Sequence, residues 1–149
     1  MTIDFKKKYL KYKIKYQEAK KQKQMKGGTT KIKEELDKII GDMKIDTKEF
    51  ESFVKNSTEN ILVIVYAHWC TYCVDMIKLI GENLKLDINN NRIKYLDGTK
   101  LTDEFKQKLE IKGFPTIIKI KNSSSIDNLN KMEYDGIRDA VNIIEFLNK

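Results

Sequence analysis

One proline, one histidine, one tryptophan and two cysteines are all that this 149-residue chain contains of those four residue types. Two cysteines exclude a disulfide framework, so stability has to come from packing. Two cysteines and one histidine also fall short of the four nitrogen or sulfur ligands of a closed zinc site, which leaves only a metal shared across a symmetric dimer. The expectation is therefore no metal. No run approaches the roughly 18 apolar residues of a membrane span. The start, "MTIDFKKKYLKYKIKYQ", is too densely charged for a secretory signal peptide. A reducing, cytoplasmic setting is the expectation.

Acidic charge is scarce in one place only. The net charge is +7, yet residues 1–26 hold ten lysines against Asp4 and Glu18, a net of +8. Residues 27–149 then hold 19 basic and 20 acidic side chains, a net of −1. Nucleic-acid binding through charge is excluded for the globular part and belongs, if anywhere, to the arm.

Phe5, Tyr9, Tyr12, Tyr16 and Ala19 recur at helical spacing along that arm, with lysines over its other faces. Three readings fit: a stripe resting on its own domain, a short seam for a partner helix, or a helix meeting an anionic surface such as nucleic acid or membrane headgroups. Gly27–Gly28 breaks the pattern and offers a hinge. The spacing predicts a basic helical extension over 1–28, a short helix and linker over 29–43, and a domain over 44–149. In the linker helix, Ile32, Leu36, Ile39 and Ile40 share a face and Gly41 ends it.

From residue 44 the signals alternate between strand and helix, which indicates an α/β layer fold. "MKI" (43–45) reads as a short strand, and Asp46 or Thr47 can cap a helix with Phe50, Phe53 and Val54 inward. "NILVIVYA" (60–67) reads as a central strand buried on both faces. Ile77, Ile80 and Leu84 mark a helix, 92–98 a strand, 102–111 a helix capped by Thr102, and 115–121 a strand paired with 131–136. A last helix is expected from about Arg138, with Val141, Ile144 and Leu147 inward.

Both cysteines lie in "VIVYAHWCTYCVDM", where the central strand gives way to a helix. Cys70 falls at the helix N-terminus, where unpaired N–H groups and the dipole favour a thiolate, the nucleophilic form. Cys73 lies one turn on, within reach of a mixed disulfide formed at Cys70. Two inert core cysteines would leave unexplained why they flank a helix start beside Trp69, so a redox dithiol is the better reading. His68 is either a partly exposed surface side chain or a source of positive charge near Cys70 at mildly acidic pH.

"YAHWCTYC" resembles the thioredoxin signature, "KGFPT" resembles that family's loop ending in a cis-proline and threonine, and "YDGIRDAVNIIEFL" resembles the closing segment of protein disulfide isomerase domains. The resemblance covers about residues 44–149. It implies a thioredoxin fold, three α/β/α layers around a mixed sheet. It further implies a thiol–disulfide oxidoreductase acting on protein disulfides, without a cofactor, through nucleophile Cys70 and resolving Cys73. An electron-transfer partner, a reductase or a sulfhydryl oxidase, is implied too. Trp69, His68, Thr71 and Tyr72 would shape the site, and Phe114, Pro115 and Thr116 would form the substrate platform. The alternative is a binding or scaffold module with slow or vestigial redox chemistry, docked through its arm. Ile64 stands where the family usually carries a buried carboxylate, and Ile93 near its usual lysine partner. The "KYLKYKIKY…GG" leader is similar to those heading giant-virus proteins, which implies a viral protein of the host cytoplasm and virion.

Overall fold

The computed structural model describes residues 29–121 and 125–149. The arm and hinge expected over 1–28 lie outside the described residues. The first described helix, α1 (Thr29–Ile40), buries Leu36 and Ile40 and is followed by a 3-10 turn, Gly41–Met43. Asp46 then starts α2 (Thr47–Asn56) with a capping box: its carboxylate accepts the Glu49 N–H at 2.7 Å, and the Glu49 side chain accepts the Asp46 N–H. These two helix signals leave no room for a strand at 43–45. That stretch makes one isolated parallel bridge, Lys44 with Tyr95, rather than the expected strand.

The sheet has four strands in the order β2–β1–β3–β4: β1 (Ile61–Tyr66), β2 (Ile93–Asp97), β3 (Thr116–Ile120) and β4 (Lys131–Glu133). β1 is parallel to β2 and antiparallel to β3, and β4 is antiparallel to β3, so the sheet is mixed. All six β1 residues are buried, because the strand faces a layer on each side. Leu62, Ile64 and Tyr66 point into one core with Leu36, Ile40, Ile77, Ile80, Leu84, Ile143 and Leu147. Ile61, Val63 and Val65 point into the other with Phe50, Val54, Phe105 and Leu109. The period-2 alternation of a strand thus feeds two cores from one segment.

Two helices cover the first core beside α1. α3 (Thr71–Leu86) packs against it at Gly81, where an added Cβ would lie 2.4 Å from Ile39 Cγ2, so the two backbones approach this closely only because Gly81 has no side chain. α5 (Ala140–Asn148) starts two residues later than expected because Asp139 caps it, accepting the Asn142 N–H at 2.8 Å. Ile143 and Leu147 then form its buried line. Val141 was expected inward, but it lies off that line and is exposed, since each helical residue turns about 100°. α4 (Asp103–Lys108), capped by Thr102, covers the second core and is shorter than expected, because Glu110 takes a positive φ of 56°.

Candidate active site

β1 ends at Tyr66, and a turn closed by the Cys70 N–H on the Ala67 carbonyl (3.0 Å) delivers the chain to α3. Cys70 is the N-cap residue of that helix. Its Sγ accepts the Cys73 N–H at 3.4 Å and donates to the Phe114 carbonyl at 3.5 Å. One sulfur therefore sits between the start of α3 and the turn before β3. Cys70 is 6% exposed and Cys73 is fully buried, and both are free thiols.

The second wall comes from a segment far along the chain. The Phe114–Pro115 peptide bond is cis. Thr116, expected on the substrate platform, is buried, and its hydroxyl donates to the Gly113 carbonyl at 2.6 Å, bracing the turn. Pro115 is buried, whereas Phe114 is half-buried and meets Trp69 edge-on, with ring centroids 5.8 Å apart. Trp69, next to Cys70 in the chain, is 57% exposed. His68 is half-buried, and its Nδ1 has no hydrogen-bond partner among the described residues. Thr71 opens α3, and Tyr72 packs against the core that holds both cysteines.

Electrostatics bear on the buried thiol of Cys73. Burial pushes the Cys73 thiol well above the ordinary thiol range, and its hydrogen bond with Cys70 and the Cys70 charge push the same way. A backbone hydrogen bond from Ala67 and the charge of Arg138 pull in the other direction without prevailing. Ile64 and Ile93 are fully buried in the same core as Cys73. Apolar packing therefore fills the two positions that the motif resemblance reserves for a charged pair.

Two further residues border the site, Gly98 and Tyr66. At Gly98 an added Cβ would fall 2.1 Å from Phe114 Cε1 and 3.0 Å from the Tyr66 carbonyl oxygen. The bulky Phe114 ring fits at the site because residue 98 has no side chain. The signal was present in "LDGTK", but a glycine after a strand reads first as a turn. Tyr66 ends β1 in the core that holds both cysteines, and burial raises its phenol, with Asp97 the next cause. The motif "YAHWCTYC" includes Tyr66, but does not disclose the burial of its ring.

A family model described as thioredoxin matches residues 41–149. The chain belongs to the thioredoxin family. Its relatives include Protein disulfide isomerase-like 1-2 of Oryza sativa subsp. japonica, 31% identical over 102 residues, which are 66% of this chain and 18% of that protein. A mitochondrial thioredoxin domain-containing protein of Schizosaccharomyces pombe is 28% identical over 109 residues, 70% of this chain and 29% of that one. The chain thus spans less than a third of either relative. Among solved structures, the first thioredoxin domain of mouse protein disulfide-isomerase A4 matches with a TM-score of 0.56 at 23% identity, over 70% of this chain and 71% of that one. Mitochondrial thioredoxin 3 of Saccharomyces cerevisiae matches with a TM-score of 0.51 at 16% identity, over 70% and 91%. At those identities the structures speak for the fold alone. No helix among the described residues of this thioredoxin domain is long and apolar enough to cross a membrane.

Proposed function

We propose that this thioredoxin-family chain is a thiol–disulfide oxidoreductase that acts on protein disulfides through Cys70 and Cys73. The observation that carries the reading is the Cys70 sulfur held between the Cys73 N–H and the Phe114 carbonyl, with Cys73 fully buried behind it. The Cys70 thiolate attacks one sulfur of a substrate disulfide, forming a mixed disulfide and releasing the other sulfur as a thiol. Cys73 gives up its proton and attacks the Cys70 sulfur, releasing the second substrate thiol. Two electrons pass to the substrate and the domain is left oxidised. The reverse sequence oxidises a substrate dithiol. Trp69 and Phe114 supply the surface on which a substrate strand rests. Turnover needs a partner that resets the dithiol, a reductase or a sulfhydryl oxidase, and a cytosolic setting belongs to the proposal.

A second reading is favoured by Ile64. Without a carboxylate in that position, a Cys73 thiol raised by burial resolves slowly. The domain would then hold partners rather than turn them over. Trapping separates the two. A Cys73→Ser protein should accumulate mixed disulfides through Cys70, and the unmodified protein should reduce a disulfide-bonded protein with catalytic turnover in dithiothreitol. Trapping without turnover favours the binding module, and absence of both defeats the oxidoreductase.

A further inference from the structure

The end of the sheet far from the dithiol carries a groove that the thiol chemistry leaves unused. Its lining includes Ile61, the first residue of β1, whereas the turn to Cys70 follows the last, Tyr66. That strand, at about 3.3 Å per residue, sets the two sites roughly 17 Å apart. The groove has a volume of about 700 Å³ and runs between α2 and the start of β2. Lys48, Ser52 and Asn56 form one wall, since residues four apart share a helix face. At roughly 1.5 Å per residue that wall is about 12 Å long, the span of three to four residues of extended chain. Asn91, Arg92 and Lys94 form the other side, and the Lys94 Nζ lies 5.4 Å from the centroid of the Phe53 ring.

The charges that line this groove are unequally committed. Glu49 closes the capping box of α2, and Glu59 lies 3.6 Å from the Arg92 guanidinium. Lys48 and Lys94 have no ion-pair partner among the described residues. The charge left over in the groove is therefore positive. We infer that the groove docks an acidic, extended peptide segment of a partner protein, held at a distance from Cys70. Carboxylates of such a segment pair with Lys48 and Lys94, which is charge complementarity at the rim. Its backbone N–H and C=O groups meet the Ser52 hydroxyl and the Asn56 and Asn91 amides, and its apolar side chains cover Phe53 and Ile61. A nucleic acid suits the groove less well. A base stacking on Phe53 meets the Lys94 ammonium above the ring, and a uniformly charged backbone cannot avoid Glu49 and Glu59. The inference stands apart from the oxidoreductase reading, because a segment bound here leaves the dithiol open.

The test uses the full chain, isotope-labelled for amide NMR, and a short cysteine-free peptide in which Asp and Glu alternate with Ala and Leu. Titration should move the amide signals of Ser52, Asn56, Thr58, Asn91 and Lys94 saturably and leave those of Cys70 and Cys73 in place. A counterpart peptide with Asn and Gln for the carboxylates should bind at least about tenfold more weakly. High salt should weaken the acidic peptide, because exposed charges are screened beyond about 10 Å at 0.1 M. Lys48→Glu with Lys94→Glu should lower affinity by about tenfold or more. Lys31→Glu with Lys38→Glu, the same charge change at exposed positions of α1, should leave it unchanged. Should the Lys94 change unfold the chain, Lys48→Glu alone should still weaken binding about threefold. Shifts confined to residues 1–26 or to the dithiol end overturn the inference. So do equal affinities for the two peptides, equal losses in the two charge-reversed variants, or tighter binding of a single-stranded oligonucleotide at the same amides. The readout needs no thiol chemistry, so a redox-inactive chain that still shows the groove shifts defeats the oxidoreductase reading and leaves this one standing.

Discussion

Ile64 is fully buried in the core that also holds Cys73, and burial holds the thiol protonated. In the reduced, folded protein Cys73 keeps its proton where an unfolded chain, with an ordinary thiol pKa of 9.0, loses it. The unfolded state therefore binds fewer protons above pH 9, and stability falls as pH rises: fully present below 9, it declines by up to about 1.4 kcal/mol per pH unit above. Denaturant titrations of reduced protein across pH 8–10.5 should show this slope, and Cys73→Ser should reduce it, most clearly below pH 10, where the buried tyrosines do not yet contribute. In the same range iodoacetamide should label Cys70 first, and preferential labelling of Cys73 would reverse the two roles. A carboxylate put back at residue 64 bears on the resolving step. Ile64→Asp should speed turnover near pH 7 at a cost on the order of several kcal/mol. An unchanged rate in a folded variant would show that another group already takes the proton. Tyr95 offers a simpler case, since its hydroxyl is buried with no hydrogen-bond partner among the described residues. Tyr95→Phe should leave stability unchanged or raise it by about 1 kcal/mol in a thermal melt, because an unsatisfied polar group is removed. A clear loss would reveal a partner for the hydroxyl.

Among the elements, the turn between β2 and α4 supports the turn before β3 through one contact, Gly98 on the Phe114 ring. Gly98→Ala should cost about 1–3 kcal/mol by overpacking and slow reduction of protein disulfides as the ring is pushed aside. Phe114→Ala added to it should recover part of the stability, a coupling that a double-mutant cycle measures. Additive effects would mean that the ring moves freely. This contact also marks the limit of what the sequence discloses. The β1 run, the Cys70 position at the start of α3, the Thr102 cap and the Pro115 turn were legible, because each depends on residues adjacent in the chain. Gly98 against Phe114 was not, since it joins residues distant in sequence, and no spacing rule reports a missing Cβ. The strand misplaced at 43–45 gives way to the 3-10 turn Gly41–Met43 that follows α1, and Val141 faces outward because the buried line of α5 runs through Ile143 and Leu147.

For the whole molecule, the described fold closes its core from Thr29 onward, with Leu36 and Ile40 already inside. A protein beginning at Thr29, with a formal charge of −1 (19 basic minus 20 acidic), should therefore melt within a few degrees of the full chain at low and high salt. Its reduction potential should also match. A large drop would place Phe5, Tyr9, Tyr12 and Tyr16 in the core, since each buried aromatic contributes roughly 1.5–3 kcal/mol. One arrangement bears on motion as well. β1 pairs with β2 on one side and β3 on the other, and its side chains alternate between the two cores. Neither half can open while the other stays shut without tearing that strand from one of them. Its amides, Leu62 to Val65, should exchange with deuterium only through global unfolding, and last of all. Cys70 hangs from the end of that strand by a single turn. The Cys70 sulfur is thus tethered to the strand expected to open last, and local breathing at the edge strand β4 should leave its position unchanged.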